Sequence, residues 1–370
     1  MHVGSGTFFQ NLDHARPDAE VYAHELGMAD LVEPLGFDSV WAAEHHFTDY
    51  TMCPDPSQLL SYLAGRTRRV QLGTMVMVLP WHDPVRIAEH FSVLDHLSQG
   101  RVILGIGRGL ARVEFEGFRT AMGESRRRFV EYGEAILRAL ETGWIEYDGE
   151  LYRQPRAAIR PGPFRSWKGR VYASSVSPES SRIMAKLGVG IMIIAQKPWD
   201  KTLADLDEYR AVYRDVNGAE PPKPLLVSFT AVHEDAETAR EMYERHIVRY
   251  CASTLDHYEF DDARLADVPG YEYYGGLATN IAKHGKERFS RFLADLQVWG
   301  TPDQVVEQMI ENNRRIDGAG VIAIFSYGAM PHELARANIR LFAEKVLPRL
   351  KRYARARSSD ASAIQSISSV

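Results

Sequence analysis

Four short stretches hold residue types that do chemistry. The first is "WAAEHHFTDY", Trp41 to Tyr50, where Glu44, His45 and His46 follow an apolar run. Imidazole titrates near neutrality, so a histidine beside a carboxylate can act in acid–base chemistry. Adjacent residues at a strand end point to opposite sides, so His45 and His46 cannot converge on one metal ion the way the two histidines of HExxH do on a helix. His45 is therefore the acid–base candidate, and His46 is a packing or loop-holding residue. The second stretch, "GTMVMVLPWHDP" from Gly73 to Pro84, ends a strand with Met75, Val76 and Met77 and continues into a loop with two prolines. It offers backbone and apolar surface to a flat ligand, or plain core packing. The third, "GIGRGL" at 105–110, follows a strand but fails the G-x-G-x-x-G pattern at Leu110. Its Arg108 presents a fork of donors suited to a phosphate, with an ion pair to a glutamate as the alternative. The fourth, "YASSVSPESSRIM" from Tyr172 to Met184, leads small hydroxyl residues into a helix after Pro178. Ser174, Ser175 and Ser177 can meet an anion at the helix N-terminus or cap the helix.

The elements that position these stretches alternate along the chain. Eight short apolar runs are each followed by a segment of helical period: HVGSGTFF, FDSVWAAE, VQLGTMVMVL, RVILGIG, RVYASSV, VGIMIIA, PLLVSFTAVH and VIAIFSY. Repeated strand and helix with β-branched strands is the signature of parallel βα units, and eight of them predict a (β/α)₈ TIM barrel. In that fold the chemistry lies on the loops after the strands, where all four stretches fall. Residues 1–353 form one barrel domain with insertions at about 144–169 and 260–290. The first insertion, rich in Pro, Gly and aromatics, is an excursion from the barrel. In the second, "DVPGYEYYGGLATNIAKHGK" has too much Gly and Tyr for a regular helix. Residues 354–370 have no strong period and read as a disordered tail.

Composition sets the outer limits. The chain has 370 residues, 45% hydrophobic and 25% charged, with a formal net charge of −5. A basic excess is the footprint of nucleic-acid binding, so none is expected. The local clusters Arg66, Arg68, Arg69 and Arg126–Arg128 read as solvated surface. Two cysteines provide neither a disulfide framework nor a thiolate metal site, which suits a reducing cytoplasm. The N-terminus carries no secretory pattern and no run is long enough to span a bilayer, so no membrane association is expected.

Taken together, EHHFT at 44–48, GT followed by VLP and PVR between 73 and 86, LD and GR at 94–101, RGL at 108–110 and GTP at 300–302 resemble the bacterial luciferase-like family of flavin-dependent monooxygenases, its α-subunit branch in particular. The resemblance runs from the first strand to about Lys351. It implies the barrel fold already read from the periodicity, and reduced FMN as cofactor. It implies His45 as the catalytic histidine with Glu44 beside it. Arg108, Ser174 and Ser175 become ligands of the FMN phosphate, and a cis peptide between Met75 and Val76 lies against the flavin. Met77, Trp81, Glu114 and Tyr250 are the expected substrate-pocket residues.

The same resemblance marks departures. Gly107 stands where the α-subunit branch has a reactive cysteine, Ala111 replaces a tyrosine, Glu114 replaces an aspartate, and Met75 and Val76 replace two alanines. These changes bear on light emission and long-chain aldehyde specificity, while leaving flavin and oxygen chemistry in place. Gly270–Lys286 occupies the position of a mobile lid. The expected function is a two-component monooxygenase, fed by a separate NAD(P)H:flavin reductase and acting with O₂ on a small, mainly apolar substrate such as an aldehyde or ketone. A homodimer is the expected assembly. A deazaflavin-dependent oxidoreductase of the same superfamily and a non-catalytic flavin-binding partner subunit are the alternatives.

Overall fold

The computed structural model describes residues 1–174 and 178–353. Its twelve strands are β1 (His2–Thr7), β2 (Ser39–Ala42), β3 (Gln71–Thr74), β4 (Met77–Val78), β5 (Val102–Gly107), β6 (Trp144–Asp148), β7 (Arg153–Ala158), β8 (Val171–Ser174), β9 (Gly190–Ile194), β10 (Leu225–Val232), β11 (Val298–Gly300) and β12 (Gly320–Ile324). Parallel pairing runs β1–β2–β3–β5–β8–β9–β10–β12 and returns from β12 to β1, which closes an eight-stranded barrel. β4 continues the line of β3 after a break and pairs with β5. The short β11 adds to β10 outside the ring. Every residue of β5, β10 and β12 is buried, as expected of strands covered by helices outside and by side chains within.

The barrel interior shows why its glycines sit where they do. The Trp41 ring is fully buried. A Cβ at Gly73 would lie 2.2 Å from that ring, and one at Gly4 would lie 2.6 Å from its Nε1. Only backbone fits on either side of the indole. Its N–H donates to Ser39 Oγ at 2.6 Å.

One local expectation is corrected, in the second insertion; the first insertion has its own structure. β6 and β7 form an antiparallel hairpin inside the first insertion, pairing Trp144 with Ala158 and Asp148 with Arg153. The Glu131 carboxylate accepts from the backbone N–H groups of Glu150, Leu151 and Tyr152 and so holds the turn. In the second insertion, Tyr273–His284 is an α-helix despite its glycines. Tyr274, Ala278 and Ile281 recur at helical spacing and are buried, and a Cβ at Gly275 would stand 2.6 Å from Ala266 Cβ. Packing of that face outweighs the roughly 1 kcal/mol per glycine that weak helix propensity costs. The first helix, Asp18–Val32, buries Val21, Glu25, Met28, Ala29 and Val32. The expected tail at 354–370 lies outside the described residues.

Candidate active site

The loops after the barrel strands converge on one cavity. Phe8 reaches it from β1, Ala43, Glu44 and His45 from β2, Met75, Val76, Val78 and Trp81 from the β3–β4 segment. Gly107, Arg108, Leu110 and Glu114 follow β5, Ser174 ends β8, and Phe229 and Ile324 come from β10 and β12. The peptide bond between Met75 and Val76 is cis, and both side chains line the cavity.

The adjacent histidines part as strand alternation requires. His46 Nε2 lies 3.0 Å from Glu44 Oε1, and His82 Nε2 lies 2.5 Å from the same oxygen. Glu44 Oε2 accepts from Val78 N–H at 2.6 Å. Both oxygens of this buried carboxylate thus tie the β2 loop to the β4 loop. Burial opposes ionisation of Glu44, yet the bonds from His46, His82 and Val78 hold its pKa below the usual carboxylate value. Burial also disfavours a charged His82, but the bond to Glu44 and its charge hold that pKa above the ordinary histidine value.

His45 turns the other way. Its Nδ1 lies 2.9 Å from Glu114 Oε1 and 3.1 Å from His257 Nε2, and its Nε2 lies 3.3 Å from the Tyr258 hydroxyl. Glu114 Oε1 also accepts from His46 N–H at 2.8 Å. The ring of Tyr50 stacks on His257 at 4.3 Å, and its hydroxyl meets those of Tyr250 at 3.2 Å and Thr254 at 3.1 Å. Burial, and then the nearby His45, push the His257 pKa down to about 2, so that ring is neutral. Burial raises Tyr258 well above the usual tyrosine range. His45, Glu114 and His257 place three ligand-type atoms within 4.8 Å of one another. Two of those contacts have hydrogen-bond lengths.

His257, Tyr258, Tyr50 and Phe8 are site residues that sequence reasoning missed. His257 and Tyr258 lie 212 and 213 positions from His45. The local signal was there: Tyr250, Thr254 and His257 recur at helical spacing on one buried face of Val248–His257. A π-helical turn at Tyr243–Ile247 precedes that face and sets its rotation.

Arg108 also lines the cavity. It donates to the Gly270 carbonyl at 2.7 Å and lies over the Tyr271 ring at 4.1 Å. Its described partners are a carbonyl and an aromatic face rather than the glutamate of the alternative reading. Arg126, expected on the surface, is instead a second guanidinium in the cavity wall. It bonds the same Gly270 carbonyl at 3.0 Å and Glu179 at 2.5 Å. Its Nε is buried with no partner among the described residues. Placement explains the difference: Arg126 is in the first turn of the helix Ser125–Thr142, facing the barrel mouth, while Arg127 pairs with Glu150 outside. Gly270 belongs to the expected lid, whose buried Tyr271 donates to the Gly109 carbonyl at 2.9 Å and whose Tyr274 lines the cavity.

Of the remaining expected residues, Val76, Trp81, Glu114, Ser174 and Tyr250 line the cavity. Met77 does not. It pairs with Ile106 in β4 and is 1% exposed within the core, because the turn that brings Met75 and Val76 to the cavity sends the next side chain inward. Ser175 and Ser177 lie outside the described residues.

An eight-stranded parallel barrel with its polar residues gathered at the strand ends defines the class, and comparison with known proteins defines the family. The sequence profile of the luciferase-like monooxygenases matches residues 1–317, and the chain belongs to that family. It is 30% identical over 337 residues to the alkanal monooxygenase alpha chain of Photobacterium leiognathi, covering 88% of this chain and 92% of that one. Among solved structures, the monooxygenase RslO1 from Streptomyces bottropensis superposes with a TM-score of 0.75 at 25% identity, over 94% of this chain and 99% of that one. Two further structures share the fold. The oxygenating constituent of 3,6-diketocamphane monooxygenase from Pseudomonas putida, in complex with FMN, has a TM-score of 0.70 at 17% identity over 95% and 98% of the two chains. An F420-dependent secondary alcohol dehydrogenase has a TM-score of 0.68 at 18% identity over 94% and 98%. Among the described residues, no helix is long and apolar enough to cross a membrane.

Proposed function

We propose that the protein is a two-component monooxygenase, using reduced FMN delivered by a separate NAD(P)H:flavin reductase, and O₂, to oxidise a small, mainly apolar substrate such as an aldehyde or ketone. The observation that carries this reading is one cavity that joins two arginines to a histidine backed by a buried carboxylate. Arg108 and Arg126, with Ser174 and Ser180 in the same wall, suit a phosphate, and the buried Nε of Arg126, without a partner among the described residues, is a donor available to such a group. Met75, Val76, Leu110 and Ile183 give the apolar surface a flat ring system needs. These residues fit FMN. When bound, reduced FMN supplies the electrons that activate O₂. The chain's own part is to exclude water behind the segment that Tyr271 and Gly270 pin down, and to hold a proton acceptor, His45, in the cavity wall. Glu44 acts at one remove by holding the loop that carries Val76 and Trp81.

The FMN complex of the diketocamphane monooxygenase and the alkanal monooxygenase relatives favour a flavin and oxygen transfer, whereas the F420-dependent neighbour keeps the deazaflavin alternative testable. Anaerobic titration with reduced FMN, reduced riboflavin and a reduced deazaflavin is expected to rank FMN first. With a flavin reductase, NADH, FMN and ¹⁸O₂, label is expected in the product of at least one probe among decanal, cyclohexanone and camphor. Tighter binding of the deazaflavin, with no label in any product, would overturn the reading.

A further inference from the structure

Which nitrogen of His45 faces the cavity as an acceptor follows from its partners. Glu114 Oε1 accepts from His46 N–H at 2.8 Å, so it is an acceptor toward His45 Nδ1 at 2.9 Å as well. With Oε1 as the acceptor of both, this pairing favours the proton on His45 Nδ1. His257 Nε2, 3.1 Å from that nitrogen, then presents a lone pair, and its other nitrogen, 3.1 Å from Thr48 Oγ1, carries the His257 proton. His45 Nε2 is left with a lone pair, and the group that meets it is the Tyr258 hydroxyl at 3.3 Å. Tyr258 lines the cavity. The remaining titratable neighbours of this cluster are Tyr50, stacked on His257, edge-on to His45 and hydrogen-bonded to Tyr258, with Tyr250 behind it and Tyr274 nearby.

We infer that Tyr258, His45 and Glu114 form a proton relay that opens on the cavity through the tyrosine hydroxyl, and that His257 is a positioning residue fixing the His45 tautomer. The inference deepens the monooxygenase reading and rests on it for the identity of the reaction served. A proton leaving an O–H group in the cavity passes to the Tyr258 oxygen as the tyrosine's own proton moves to His45 Nε2. The tyrosine is neutral before and after, as its burial demands. The product is an imidazolium whose Nδ1–H is accepted by Glu114, and no electrons move. The reverse path returns the proton to an oxygen in the cavity. Tyr258 thereby becomes a catalytic residue, the member of the relay that exchanges a proton with an O–H group in the cavity that His45 and Glu114 also line.

The test uses the full-length protein labelled with ¹⁵N in its histidine rings, without flavin, so that it stands apart from the cofactor assignment. His45 is identified by its loss in His45→Gln. Wild type is expected to show the Nδ1–H tautomer at both His45 and His257. Tyr258→Phe keeps the ring and should shift the His45 Nε2 resonance toward that of an unbonded lone pair, leaving Nδ1–H in place. His257→Leu removes one of the two acceptors facing Nδ1–H and should let a minor Nε2–H population of His45 appear, and His257→Gln, which still offers an acceptor, should suppress it. In the turnover assay Tyr258→Phe should cost roughly 10²-fold in kcat, the usual scale for a lost acid–base group, and reduce a two-proton solvent isotope inventory to one. An Nε2–H tautomer in wild type, or an Nε2 resonance unmoved in Tyr258→Phe, would overturn the relay while leaving flavin binding and oxygen transfer intact. Failure to bind FMN, with the tautomers as stated, would instead overturn the monooxygenase reading alone.

Discussion

Replacing Glu44 with glutamine tests how much one buried carboxylate holds the site together. Glu44 accepts three hydrogen bonds, from His46 and His82 at Oε1 and from Val78 N–H at Oε2. Glutamine offers one carbonyl oxygen, and its NH₂ turns a donor toward whichever partner the oxygen does not serve. Hydrogen bonds to charged groups contribute roughly 1.5–3 kcal/mol each, and leaving a buried charged partner unpaired costs about 3–5 kcal/mol. The expected loss is about 3–5 kcal/mol, a large share of the roughly 5–15 kcal/mol typical of a domain. The pH window follows from the two shifts. The folded-state pKa of Glu44 is below its ordinary 4.5, so its contribution is present above 4.5 and is lost as pH falls through the folded value. The folded-state pKa of His82 is above its ordinary 6.5, so its contribution is complete below 6.5 and is lost as pH rises through the folded value. Wild type and Glu44→Gln should therefore differ most between about pH 4.5 and 6.5. Urea unfolding followed by tryptophan fluorescence across that range, with unchanged m-values, measures the gap. A difference below about 1 kcal/mol at pH 6, or one that grows above pH 8, would refute the account of Glu44 as the anchor of this loop.

Three further outcomes follow from the same geometry. Arg108→Ala should weaken reduced FMN by roughly 2–3 kcal/mol through the loss of a charge-assisted contact, and riboflavin far less, in fluorescence titrations; equal weakening would assign Arg108 to holding Gly270. His45→Ala should keep flavin binding and thermal stability while turnover falls roughly 10²-fold, whereas His46→Ala should lower stability with turnover per folded molecule retained; product formation and thermal unfolding together decide, and the opposite pattern would reverse the two roles. Dialysis against a chelator should leave turnover unchanged, because His45, Glu114 and His257 are engaged in hydrogen bonds with one another; activity restored by a divalent ion would show that the three hold a metal instead.

Much of the barrel was legible because its strands are short, apolar and punctuated, and the helices between them repeat at 3.6 residues. The eight runs read from the sequence coincide with the eight strands that close the ring. What escaped reading has several causes, among them distance along the chain and a turn no periodicity encodes. His257 is remote from His45 in sequence and meets it only through the barrel's loops. Met77 falls on the wrong side of its strand because β3 and β4 are separate pieces across the Met75–Val76 bond, so simple alternation from Gly73 miscounts. Arg126 sat beside Arg127, which does face solvent, and only the direction of its helix separates the two. Tyr273–His284 was hidden by two glycines, of which Gly275 makes room for Ala266 while Gly276 faces open space.

The departures from the α-subunit pattern turn out to be coupled, and the coupling bears on what the cavity admits. A Cβ on Gly107 would lie 2.3 Å from Val76 Cγ2, closer than any two carbons can approach without moving. The glycine at 107 and the valine at 76 are thus in direct steric opposition. The resemblance drawn from the sequence sets a cysteine and an alanine at these two places in the α-subunit branch, and in this chain the Val76 side chain stands where a side chain at 107 would go. Gly107→Cys alone must displace Val76 and the segment against which a flavin ring would rest, an overpacking that typically costs 1–3 kcal/mol. Val76→Ala alone removes methyl groups from a cavity wall and should be milder. The double variant Val76→Ala/Gly107→Cys should recover at least half of the stability lost by Gly107→Cys, a non-additivity read from three urea curves against wild type. Additive losses would mean that the backbone yields at 107 and the two positions vary independently. Recovery would make the pair a single determinant of cavity shape, and its effect on which carbonyl probes are turned over could then be read from the double variant without confounding by stability.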